Sequence, residues 1–177
     1  MPGRAEYAAL LNKVDAFSER VAQGQGPWLR CGRGCDGCCR TARSAWAVEI
    51  DALCTWLALA PAGLRQRLQA RRDAPSVVRR ERCIFLDDDG SCAVYPARPI
   101  ICRTHGPAVR TPEGELTWCA LNFADVAPEA VAGLLPAEAI LDLDLLDRML
   151  ALINARYLTA HDVPARAPLT AALDPQG

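Results

Sequence analysis

The stretch Cys31-Gly-Arg-Gly-Cys-Asp-Gly-Cys-Cys39 puts four thiols into nine residues, with three glycines among them. Four more cysteines follow at wider intervals, Cys83, Cys92, Cys102 and Cys119, while Cys54 stands between the two sets and belongs to neither. The first set reads C-x3-C-x2-C-C and the second C-x8-C-x9-C-x16-C. Full disulfide pairing fits badly. The count of nine is odd, and the adjacent Cys38 and Cys39 have Cα atoms only about 3.8 Å apart, below the usual disulfide range. The opening residues MPGRAEYAALLNKVDAF carry no apolar run behind a basic leader, so a signal peptide is not expected. No segment approaches the roughly 18 apolar residues of a membrane span. A cytoplasmic, reducing setting is therefore expected, in which the thiols read as metal ligands.

A tetrahedral metal site needs four soft donors converging on one point, with zinc–sulfur distances of about 2.3 Å. Two to four residues between thiols let a tight turn aim both at one ion, and glycine permits the dihedrals this requires. The wider second set suits ligands at hairpin ends, so residues 83–119 are expected to return onto residues 31–39. Four thiolates around one divalent zinc leave a net charge of −2. Arg30, Arg33, Arg40, Arg43, Arg98 and Arg103 flank the cysteines; they either offset that charge or simply solvate loops, and sequence leaves the two readings equal. His105, spaced C-x2-H from Cys102, is a usable additional ligand, although a hydrogen-bonding histidine in a glycine turn is slightly preferred. His161 reads as surface. Cys54, beside Ile50, Leu53 and Leu57, reads as a small buried hydrophobe. Trp46, Trp56 and Trp118 read as core or as shields for the sulfurs.

With 177 residues, 51% of them hydrophobic, the chain fits one domain over 1–160, followed by a loose tail at 161–177. A net charge of −1 argues against a general polyanion binder. Apolar periodicity predicts helices over 5–22, 45–60 (capped by Ser44), 62–73 and the last third, where Leu143, Leu146, Met149, Leu150, Ile153 and Tyr157 form one face. A hairpin is expected from CIFL through Asp89-Gly90 to CAVY, with extended chain after Pro96 and Pro99, and a second hairpin around residues 112–115. The expected fold class is α+β, mainly helical: terminal helices bracketing an irregular, hairpin-containing, cysteine-rich metal core.

CGRGCDGCC, followed by CIFLDDDGSCAVYPARPIICR and then TWCALNF, resembles the YkgJ-type CxxxCxxCC cysteine-cluster family, a zinc- or iron-chelating domain. The matching positions are Cys31, Cys35, Cys38, Cys39, Cys83, Cys92, Tyr95, Arg98, Pro99, Cys102, Arg103 and Cys119, within roughly residues 28–124. The resemblance implies chelation of zinc or iron, with an iron–sulfur cluster among the options, and supplies no reaction. Some relatives are fused to or resemble a flagellin lysine N-methylase, which transfers no catalytic residue here. C-x3-C-x2-C also matches the cluster loop of radical S-adenosylmethionine enzymes, but their barrel takes about 250 residues and this chain lacks the alternation.

The leading expectation is a metal-binding protein using the eight clustered cysteines. The alternatives are a small redox or methyl-transfer-related enzyme or accessory protein using the cluster, and a zinc module binding a protein or nucleic acid. Nucleic acid is disfavoured: residues 65–82 carry seven arginines, yet a solvated helix face is the ordinary explanation. A protein partner or substrate stays open, and a membrane is not expected.

Overall fold

The computed structural model describes residues 1–32, 34–74 and 82–174. The first helix, α1 (Arg4–Gln25), turns Tyr7, Leu10, Val14, Phe17 and Val21 inward at alternating steps of three and four, the spacing of one helical face. Against it pack α2 (Ala47–Leu59) and the late helix α6 (Leu143–Leu158), so that Tyr7, Leu10, Val14, Val48, Leu146, Leu150 and Tyr157 form one apolar cluster. α2 is buried on two sides. Its Leu53, Cys54 and Leu57 face a second cluster with Leu68 of α3 (Ala62–Asp73), Ile84, Phe85, Val94, Leu169 and Leu173. The Asp142 carboxylate caps α6 by accepting from Leu145 N.

The strands are short. Ser44–Trp46 forms β1, and the 3-10 turns at Gly37–Cys39 and Tyr95–Ala97 lead into and out of the cysteine segments. After the one-turn helix α4 (Ile100–Arg103), β2 (Val109–Arg110) and β3 (Leu116–Thr117) make the expected second hairpin. Then α5 (Pro128–Leu134) and β4 (Leu141–Asp142) precede α6, β4 running parallel to β2. Last comes β5 (Arg166–Pro168), antiparallel to β1. The whole is mainly helical α+β among the described residues, with no barrel. No described helix is long and apolar enough to cross a membrane.

Four local expectations differ from the structure. Ser44 does not cap α2; it lies in β1, three residues before the helix begins. A side-chain cap contributes about 1 kcal/mol, and here pairing with β5 takes its place while Glu49 Oε2 accepts from Trp46 N at 2.9 Å. The tail is not loose across 166–173: it forms β5 and a 3-10 turn that buries Leu169, Ala172 and Leu173. Prolines at 164 and 168 disfavour an α-helix interior but do not prevent a short strand and a 3-10 turn from docking. Residues 175–177 of that expected tail lie outside the described residues. The first hairpin shrinks to a single bridge, Leu86 to Cys92, around a turn in which Gly90 N donates to Asp87 O. Finally, the chain around Pro96 and Pro99 is mostly helical: a 3-10 turn holds Pro96 in its first turn and α4 follows Pro99, while Arg98, the residue before proline, and Pro99 itself stay extended.

Candidate metal centre

The two cysteine segments meet through backbone before any side chain is considered. Cys83 N donates to Cys39 O at 2.6 Å, so the second segment starts on the end of the first loop. Gly90, with φ of +77°, would place a Cβ 3.0 Å from Gly34 O; only a residue without a side chain lets the 87–91 turn close on the loop. Arg43 Nε and Nη2 donate to Cys38 O and fix the far side of the Gly37–Cys39 turn.

The result is a cavity of about 630 Å3 between the segments. Cys31, Cys35, Cys38 and Cys39 reach it from the loop, Cys83 and Cys92 from either end of the shrunken hairpin, and Cys102 from α4. His105, Arg43, Arg98 and Tyr95 complete much of its rim. Cys119 does not line the cavity but neighbours Cys31, raising that thiol's proton affinity together with burial. No disulfide joins any of the nine cysteines. Among the described residues no three His, Cys, Asp or Glu side chains close into a ready-made ion site; the sulfurs ring the space.

Electrostatics divides the thiols. Burial pushes Cys102 up to about 12, with Cys83 and Cys92 adding to the effect. Burial also raises Cys83 and Cys92, and lifts Cys31 to about 11. Cys38 moves the other way, down to about 6, because the Cys39 thiol hydrogen-bonds to it and His105 and Arg43 lie near. Cys39 moves up, chiefly through the same contact with Cys38. Of the set, Cys38 is the thiol that loses its proton most readily.

The arginines separate on inspection. Arg103 points at backbone: Nε donates to Arg98 O, Nη2 to Pro96 O, and Nη1 to the Asp15 carboxylate of α1 at 2.6 Å. It braces the segment that carries Cys102. Arg98 lies over the Tyr95 ring, 3.6 Å from its centroid, at the cavity rim. Arg40 and Arg82 pair with Asp36, and Arg30 Nη1 donates to Pro27 O. Arg33 lies outside the described residues. Within the basic stretch, Arg71 binds Ile84 O, Leu86 O and Asp87, Arg72 binds Asp73 and Asp174, and Arg65 binds Asp174 O; Arg79 and Arg80 are outside the described residues.

Cys54 is buried at 5% exposure, its Sγ directed at Ala172 O 3.6 Å away. His161 Nδ1 lies 2.8 Å from Tyr157 O, and its ring stacks on Tyr157. Trp46, Trp56 and Trp118 each pack against an apolar cluster, and none lines the cavity.

Two residues that sequence reasoning passed over organise the site. Asn122, 1% exposed, accepts from Arg30 N and donates to Gly106 O, joining the residue before Cys31 to the residue after His105. Cys119 N donates to the same Gly106 carbonyl. Its only trace in sequence is an asparagine three residues after a cysteine, in an otherwise apolar ALNF run. Gly106, with φ of +133°, would set a Cβ 3.0 Å from Cys31 Sγ. Replacing it strains the backbone by about 1–3 kcal/mol and pushes Cys31 aside. Gly106→Ala is expected to lower Tm by several degrees, at about 2–4 °C per kcal/mol for a chain of this size, and to change Cys31 alkylation selectively. Unchanged melting and unchanged Cys31 reactivity would contradict the packing described.

Residues 30–121, just over half of the chain, match the model of the CxxCxxCC family, a domain to which zinc or iron chelation is ascribed. No curated protein and no solved structure matches the chain.

Proposed function

We propose, since the chain belongs to this CxxCxxCC zinc- or iron-chelating family, that Cys31, Cys35, Cys38, Cys39, Cys83, Cys92, Cys102 and Cys119 are the ligands by which it does so. One observation carries the reading: seven of these thiols, as far apart in sequence as Cys31 and Cys102, line a single cavity with no disulfide between them, and Cys119 stands beside Cys31. As thiolates these sulfurs repel one another, and a bound cation offsets that repulsion.

The donor set suits zinc and iron alike, because all-cysteine sites serve both. Donor count favours more than one ion. Seven cysteines line the cavity and one tetrahedral zinc takes four donors, so an iron–sulfur cluster with further ligands or a pair of ions uses the ring of sulfurs more fully than one zinc. A bound cluster would supply electron transfer; zinc would supply a cross-link between segments. In either case this chain's own residues set the backbone of the cysteine segments through Arg43, Asn122 and Arg103, and ease the ionisation of Cys38. We place the protein in a reducing cytoplasm, where such thiols stay available.

Elemental analysis of anaerobically purified protein, with its absorption spectrum, tests the reading. Stoichiometric iron with absorbance in the visible range, or stoichiometric zinc without it, is the expected outcome. Cys35→Ser or Cys92→Ser is expected to lower bound metal and Tm together, whereas Cys54→Ala spares the metal. Metal-free native protein, or metal loss in Cys54→Ala equal to that in Cys92→Ser, would overturn the ligand assignment.

A further inference from the structure

Glu49 is a carboxylate where an apolar residue would serve the core. It sits in the first turn of α2 at 3% exposure, beside Ala47, Val48 and Ile100 of the apolar cluster. Burying such a group costs several kcal/mol unless its oxygens are paired. Both are paired, and with backbone. Oε2 accepts from Trp46 N at 2.9 Å, which caps α2 locally. Oε1 accepts from Ile100 N at 2.8 Å, 51 residues away. The Tyr7 hydroxyl of α1 lies near the same carboxylate and favours its charged form.

Ile100 opens α4, and Cys102 lies two residues on, its own N–H donating to Pro99 O within the same turn. A capping box uses glutamate or glutamine at this position for the bond back to the Trp46 N–H, and that local motif needs only one acceptor. The second oxygen is therefore free for Ile100, a contact the cap does not require. On the other side of Cys102, Arg103 is tied to Asp15 of α1. The turn that carries this thiol is therefore held at both ends by the helical frame.

We propose that Glu49 is a positioning residue for Cys102: its buried carboxylate pins the Ile100–Arg103 turn to α2 so that the Cys102 thiol faces the cavity. The proposal rests on the reading of the cavity as a metal centre, but its central measurement does not involve metal. Partners of metal ligands typically change affinity about 10–100-fold when removed.

The test compares wild type, Glu49→Gln and Glu49→Asp. Glutamine keeps the volume but sets an amide NH2 against one of the two N–H donors. Aspartate keeps the charge and loses the reach to Ile100. In metal-free protein, site-resolved alkylation read by mass spectrometry is expected to show Cys102 reacting about tenfold faster or more in both variants, with Cys83, Cys92 and Cys54 unchanged. Zinc affinity, measured by competition with a chromogenic chelator, is expected to fall about 10–100-fold. Cys102 reactivity equal to wild type overturns the proposal, and so does a uniform rise at every thiol or unfolding of both variants, since these assign Glu49 to general stability. Selective exposure of Cys102 in a protein whose wild type binds neither zinc nor iron would leave the positioning role standing and remove the metal reading.

Discussion

Removing the metal is expected to melt the cysteine loop first and to lower the stability of the whole chain by an amount comparable with its entire folding free energy. Structural zinc contributes apparent free energies of about 10–16 kcal/mol in small peptides, against about 5–15 kcal/mol for a typical domain. The burial pattern says where the loss concentrates. Among the described residues of 29–43, none is buried, so no apolar core lies beneath the loop to hold it. Its order rests on a few backbone bonds, such as Cys35 N to Gly32 O and Cys39 N to Asp36 O. The frame of α1, α2 and α6 differs, because Tyr7, Val14, Val48, Leu146 and Leu150 are all at 5% exposure or less. After anaerobic chelation, hydrogen exchange should accelerate most at residues 31–43 and 83–106, less at α1 and α6, and Tm should fall by well over ten degrees, scaling at about 2–4 °C per kcal/mol. Tm values with and without metal agreeing within a degree or two would show that the sulfurs hold nothing that matters to the fold.

That contrast also explains what could be read from the residues alone. α1, α3 and α6 were legible because apolar residues at three- and four-residue steps report directly on a helix face, and α3 spans the expected 62–73. The meeting of the two cysteine segments was legible because thiols that avoid disulfides need a common partner. Helix α2 began later than its serine suggested, since β1 finds its partner β5 more than a hundred residues downstream, and no local pattern reports such a pairing. The docking of 166–173 was hidden for the same reason: Leu169, Ala172 and Leu173 are apolar enough to bury, but only the groove beside α2 and α3 says so. Arg103 was assigned to the neighbourhood of the sulfurs by its place beside Cys102; its reach instead follows from carbonyls exposed by the Tyr95–Ala97 turn, a three-dimensional fact. Glu49 and Asn122 carry no sequence mark of their role, because a buried polar group looks like any other until its partners are known.

Raising the pH is expected to move the metal-free and metal-loaded forms in opposite directions. Without metal, Cys102 and Cys31 hold their protons up to about 12 and about 11, and Cys83 and Cys92 are also raised, chiefly by burial. An unfolded chain releases thiol protons near pH 8.5 or so. Above that value the unfolded state gains free energy by ionising while the folded state does not, so the stability these thiols contribute is present below the ordinary thiol range and is lost as pH rises through it. Metal reverses the sign. A ligand thiol must shed its proton to bind, so each thiol still protonated at the working pH weakens binding by up to about tenfold for every unit the pH falls. Cys38, lowered chiefly by its hydrogen bond with Cys39, adds less to this slope, and in the metal-free form it acts with the opposite sign, its contribution growing as pH rises toward the ordinary thiol value. Above about pH 8.5 the raised thiols outnumber it, so metal-free Tm should decline while metal affinity climbs, with protons released on titrating zinc into unbuffered protein. Two curves rising or falling together would mean that the buried thiols are not the groups the metal displaces protons from, and the ligand set would have to be sought elsewhere on the chain.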